Sequence, residues 1–203
     1  MVRPKRNMAL FRQNIAEAAF AILLEADSDA LTMINLAKRL DMSVGNVYKC
    51  FESKDEVLLL VCTRFYRELN EVLSAHAGDQ LPVLLSDYMS FALSRFNLYA
   101  LVMQKPLWYQ SFRQTALAPL GFALQVQMLR ALAQARRIVR VSLAKEGIVL
   151  APDALSSRLV FLFNSLHGLL MSRHTGMMSG MNLDLEALLP DQLLWLQKAL
   201  TAR

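Results

Sequence analysis

Between Leu31 and Phe51 the chain reads LTMINLAKRLDMSVGNVYKCF, a stretch whose polar side chains suit contact with a polyanion better than bond-making chemistry. Asn46 carries an amide that can donate to and accept from one adenine edge, and Val44 offers a methyl surface for a thymine methyl. Lys49 places a cation beside them, and Gly45 would permit close backbone approach. Thr32, Ser43, Tyr48 and Lys54 supply hydroxyls and an ammonium, groups that hold phosphates and fix register without specifying sequence.

Such a set works only if a short helix presents it. Thr32 reads as an N-cap, with apolar Ile34, Ala37 and Leu40 following at helical spacing. Asp41-Met42-Ser43 breaks the pattern, and Ser43 can cap a second helix through its side-chain oxygen. In that helix Val47 and Phe51 face inward, leaving Val44, Gly45, Asn46, Tyr48 and Lys49 to line the outer face. Two short helices across a tight turn form a helix-turn-helix, whose second helix enters the DNA major groove. The turn position that favours Gly holds Asp41, a residue that tolerates the left-handed region better than most. Ser53-Lys54-Asp55-Glu56 is then a capping box ahead of the apolar run Val57–Val61.

These residues resemble the TetR family of bacterial transcriptional regulators. Arg12-x-x-Ile15-Ala16-x-Ala18-Ala19-x-x-Ile22-Leu23 is similar to that family's first helix, and Thr32-Met33-x-x-Leu36-Ala37-x-Arg39-Leu40 to its second. Ser43-x-Gly45-Asn46-Val47-Tyr48-x-x-Phe51-x-Ser53-Lys54-x-Glu56-Val57-Leu58 is similar to its recognition helix and the start of its fourth. The resemblance covers residues 8 to about 62. The chain departs from the family pattern at Asp41 and Cys50, where Gly and often His are usual, and at Asp27-Ser28-Asp29, where Gly is usual. The resemblance implies a DNA-binding head at residues 1–53 and a ligand-binding and dimerisation body at 54–203.

Composition agrees with an all-α chain of that kind. With 7 Gly and 6 Pro in 203 residues there is little punctuation for strands and turns. The 55% hydrophobic content exceeds what a monomer of this size readily hides, which favours a subunit interface, a cavity, or both. A net charge of +5 is too small to establish nucleic-acid binding, but Arg3, Lys5, Arg6 and Arg12 form a basic arm without an acid. Cys50 and Cys62 read as buried thiols of a reducing compartment. No apolar run approaches the roughly 18 residues that span a bilayer, and no signal segment is evident, so a soluble cytoplasmic protein is expected.

Along the chain, helices are expected over 8–24, 54–77, 81–103, 107–114, 119–146, 152–174 and 190–202, besides the two of the helix-turn-helix, with a loop over 176–182. Phe91, Tyr99, Trp108, Tyr109, Phe112, Phe122 and Phe161 gather on the middle helices, and Asn164 and His167 sit in the apolar run near them. Such aromatics are usually core; in a TetR-like body they would line a pocket for a small neutral or anionic, hydrophobic or aromatic effector. Leu155–Met171 is apolar nearly all round and is expected to be buried on every side. With the leucines of the last helix it resembles the family's dimer interface, formed here by residues 155–174 and 190–202. Arg130, Arg136, Arg137, Arg140 and Lys145 read as a solvated helix face.

Three function classes compete. A dimeric, effector-released repressor on double-stranded DNA absorbs most of the residues above. A DNA-binding protein of the same fold controlled by a protein partner is the alternative. An enzyme is disfavoured, since the sequence offers no Gly-rich phosphate loop, nucleophile elbow or metal-ligand spacing, and no cofactor is expected.

Overall fold

The computed structural model describes residues 8–75, 81–104 and 109–202. These form α1 (Met8–Glu25), α2 (Met33–Arg39), α3 (Val44–Tyr48), α4 (Lys54–Ala75), α5 (Leu81–Ser94), α6 (Phe96–Gln104), α7 (Tyr109–Phe112), α8 (Ala118–Lys145), α9 (Pro152–His174), α10 (Met177–Gly180) and α11 (Leu185–Thr201). Among the described residues there is no strand. The chain is all-α, as its composition implied.

By backbone contact the described residues gather into two compact units, one drawn from 1–67 and 95–128, the other from 68–94 and 129–203. In the first unit, Ile15, Ala19 and Leu23 of α1 are buried together with Leu36, Val47, Phe51 and Leu58. α2 packs on α1 and α3, and α1 also packs on α6. Each fully buried Leu or Phe contributes about 1.5–3 kcal/mol against exposure, which gives these short helices the tertiary support their length cannot supply. In the second unit, α9 and α11 pack on each other and both pack on α5.

Several expectations require correction. Ile34 is 55% exposed, and Met33, Leu36 and Ala37 form the inward stripe of α2. Both stripes are helical and share Ala37, and packing of α2 on α1 and α3 selects the one that is buried. The expected helix over 81–103 divides at Arg95, where the Ser94 hydroxyl donates to the Phe91 carbonyl (3.0 Å) and a new turn begins with Tyr99 N–H donating to Arg95. The loop over 176–182 contains the short helix α10. The last helix starts at Leu185, so Pro190 falls inside it. Asp184 caps that start, accepting from Ala187 N–H at 3.3 Å, which sets the helix in place before the proline arrives.

The largest correction concerns α9. Only Leu155, Leu162, Leu166 and Leu170 are buried, while Val160, Phe161 and Phe163 are exposed. On α11, Leu196 and Leu200 are buried but Leu194 and Trp195 are exposed. Each helix therefore spends one apolar stripe within the unit and keeps another outside it. The Arg158 guanidinium ties the pair together, donating to the Leu200 carbonyl and to Ala202 O at 2.7 Å. Against expectation, α9 is by length and composition apolar enough to cross a membrane, its leucines and phenylalanines outweighing Arg158, Asn164 and His167.

Candidate nucleic-acid interface

The interface begins with the turn between α2 and α3. Asp41 adopts φ 49°, the left-handed conformation for which Gly is the easy choice. Its N–H donates to Lys38 O at 3.2 Å, and Met42 N–H reaches Ala37 O at 2.9 Å, so the turn is closed by backbone bonds. Thr32 caps α2 as expected, accepting from Asn35 N–H at 3.0 Å. Ser43 does not cap α3: Asn46 N–H bonds at 2.9 Å to the Ser43 carbonyl in a tight first turn, and the hydroxyl makes no capping bond.

α3 sorts its residues as the sequence implied. Val47 is buried; Gly45, Tyr48 and Lys49 are exposed; Val44 and Asn46 are half-buried. A Cβ added at Gly45 would meet nothing within 4 Å, so the backbone there is open to approach. Ser43 is exposed and Thr32 half-buried. Lys54 is half-buried and its ammonium donates to Ser28 O at 3.1 Å, a bond that no local sequence signal announces.

Arg12 is the residue that the sequence undervalued. The sequence grouped it with a basic arm that suits either phosphates or the minor groove, or else a plain basic terminus; Arg3, Lys5 and Arg6 of that arm lie outside the described residues. The Arg12 guanidinium instead donates to the Cys50 carbonyl, pairs with Glu56 Oε1 at 2.5 Å, and lies 4.4 Å from the Phe51 ring centroid. Glu56 completes the cluster. Its Oε2 accepts from Glu52 N–H at 2.9 Å, while its own N–H donates to Ser53 Oγ at 3.2 Å. The capping box at Ser53 is thus half as expected, its returning carboxylate serving Glu52 and Arg12. A partner 44 positions away leaves no pattern in a local window.

A second ion pair fixes α1 to α2. Arg39 donates to both carboxylate oxygens of Glu25 at 2.8 and 2.7 Å. Those hydrogen bonds, and then the nearby positive charge, hold the Glu25 carboxyl below its ordinary pKa and raise that of Arg39. The pair borders an open cleft of about 460 Å³ between α1 and α2. Another shallow cleft, of about 320 Å³, lies between α1 and α4, where Arg64 pairs with Glu17 over the Phe20 ring.

The residues expected to line an effector pocket are placed as follows. Tyr99, Phe112 and Phe122 belong to the first unit, where the first two are buried and Phe122 is exposed on α8. Phe91, Phe161, Asn164 and His167 belong to the second. There Phe91 is buried, Phe161 and Asn164 are exposed, and the half-buried His167 stacks on Phe163 with centroids 6.1 Å apart. Trp108 and the side chain of Tyr109 lie outside the described residues. Of the basic cluster on α8, Arg130, Arg137, Arg140 and Lys145 are exposed, and Arg136 donates to Ser156 Oγ at 2.8 Å. Cys50 and Cys62 are both buried thiols.

Residues 15–61 match the family model described as bacterial regulatory proteins, tetR family. A search of curated proteins finds no match. Among solved structures, the fold is similar to that of a protein described as regulatory, SCO4313, with a TM-score of 0.68 and 22% identity over 96% of this chain and 98% of that one. It is similar also to the transcriptional regulator FadR from Bacillus subtilis in complex with stearoyl-CoA, with a TM-score of 0.62 and 18% identity over 91% and 96%. A TetR transcriptional regulator from Rhodococcus sp. RHA1 aligns at a TM-score of 0.48 and 18% identity over 93% and 96%. The matched residues contain the whole helix-turn-helix, so the head of this chain is similar to that of the tetR family of bacterial transcriptional regulators.

Proposed function

We propose that the protein is a repressor that binds a palindromic operator as a homodimer and leaves it when a small neutral or anionic amphiphile binds the body. The carrying observation is the sorting of α3, with Val47 buried, Asn46 half-buried, Tyr48 and Lys49 exposed and the backbone at Gly45 open. Val44 and Asn46 read base edges, assisted by Lys49. Thr32, Ser43, Tyr48 and Lys54 hold phosphates. Residues 1–53 act as the DNA-binding segment and 54–203 as the regulatory one.

The homodimer reading draws support from the outer face of α9 and α11. Val160, Phe161 and Phe163, with Leu194 and Trp195, remain exposed although the chain folds a core without them. A two-fold axis would make that surface self-complementary and would hold two recognition helices one DNA turn, or a multiple, apart. Arg158 binds the α11 carbonyls, an attachment that suits an interface better than a bilayer. For the effector, the FadR complex with stearoyl-CoA supports an amphiphile with an anionic head in a relative of this fold. Control by a protein partner draws support from a different feature, the exposed apolar side chains Leu129 and Leu132 on the part of α8 within the second unit.

Selection of bound genomic fragments with the purified chain tests the assignment. A two-fold symmetric site, released by acyl or aromatic amphiphiles and not by control solutes, is the expected result. Binding that shows no sequence preference would overturn it.

A further inference from the structure

We propose that Arg12 is a positioning residue for base reading, a clamp from α1 that sets the aim of the recognition helix; this rests on the assignment of α3 to the major groove. α3 has five residues, too few to hold itself in water, and no side chain caps its start. Its direction is therefore set by what grips its two ends. The N-terminal end is gripped by the closed turn at Asp41 and Met42. Just past the C-terminal end, the chain leaves through Cys50 and Phe51, whose N–H groups both return to Val47 O. Cys50 O is taken by Arg12.

The grip is three-point. One guanidinium nitrogen holds the Cys50 carbonyl, another holds Glu56 at the start of α4, and the plane of the group covers Phe51. Glu56 in turn holds the Glu52 N–H in the α3–α4 connection. A lysine cannot reproduce this, because an ammonium is a point donor without a flat fork. Arg12 would then act on Asn46 and Lys49 without touching DNA. Loss of the clamp would let α3 swing while α1, α2 and α4 stay folded around Ile15, Leu36 and Leu58.

The test uses the full chain with R12K, R12M and E56Q, a duplex carrying the selected site, and a scrambled duplex of equal length. All four proteins are melted first, and R12K and E56Q carry the conclusion if R12M does not fold. The expected result for R12K is a loss of about tenfold in preference for the selected duplex, the size of one good base contact, with scrambled-duplex binding nearly unchanged. E56Q should lose preference in the same direction. Amide hydrogen exchange at Cys50 and Phe51 in R12K should quicken without DNA present, while exchange at Leu58 stays slow. If R12K restores R12M and both duplexes had weakened together with a flatter salt slope, Arg12 is a phosphate contact and the clamp is overturned. Full preference in folded R12K overturns it too. A wild-type chain that prefers no duplex would instead remove the DNA-reading assignment itself, and Arg12's role with it.

Discussion

The Lys54 ammonium donates to the Ser28 carbonyl at 3.1 Å, which ties the first residue of α4 to the connection between α1 and α2, 26 positions earlier. The residue that the sequence offers as a phosphate contact is thus already committed inside the head. The two roles are compatible, since an ammonium has three donors.

Lys54→Ala is predicted to cost about 1 kcal/mol of stability from the lost charged hydrogen bond. Tyr48→Phe, on an exposed side chain, is predicted to leave the melting temperature alone and to weaken all DNA equally. Denaturant titration and binding across a salt series check both. If Lys54→Ala melts like wild type, the bond to Ser28 contributes nothing.

Asn46→Ala is predicted to relax preference at one base position by about 1–3 kcal/mol while leaving other positions intact. Binding to a set of single-base operator variants measures this. A uniform loss over the whole set would reassign Asn46 to the backbone.

Asp41 sits at φ 49°, where a β-branched side chain is strained. Asp41→Val is predicted to cost about 1–2 kcal/mol, and Asp41→Gly to change stability little, because relief of backbone strain offsets the greater freedom of the unfolded chain. Chemical denaturation of the two variants decides it. Equal stability of Val and Gly variants would contradict the turn geometry.

The Glu25–Arg39 pair predicts an acid dependence. A carboxyl whose folded pKa is depressed contributes stability above its unfolded value of about 4.3, and loses that contribution as pH falls through the folded value. Wild type and Glu25→Gln should therefore differ most near neutral pH and converge below that range. The pair is exposed, so added salt should narrow the difference. A gap that widened on acidification would have the wrong sign.

Phe161→Glu should turn a dimer into a monomer while keeping helicity, since the side chain is 46% exposed and outside the α9 buried stripe. Sedimentation with far-ultraviolet circular dichroism reads both properties. An unchanged mass would move the interface elsewhere.

Much of this was legible in the sequence because it is local. Thr32, Ser53 and Asp41 each announce a cap or turn within four residues, and the buried face of α3 follows from Val47 and Phe51. What escaped is long-range or relative. The Arg12 contacts join residues 38 and 44 positions apart, and no periodicity encodes them. α9 misled for another reason: hydrophobicity on all sides tells that a surface wants cover, not whether the cover comes from the same chain. For the aromatics, residue type could not separate a buried Tyr99 from an exposed Phe122, because both positions suit either fate.

The two thiols give the molecule an internal clock. Cys50 lies just past α3 at 5% exposure, and Cys62 is sealed along α4 at 2%. Alkylation at each must wait for its own region to breathe, so labelling rates time the opening of the α3–α4 connection and of the long helix separately, with no engineered label.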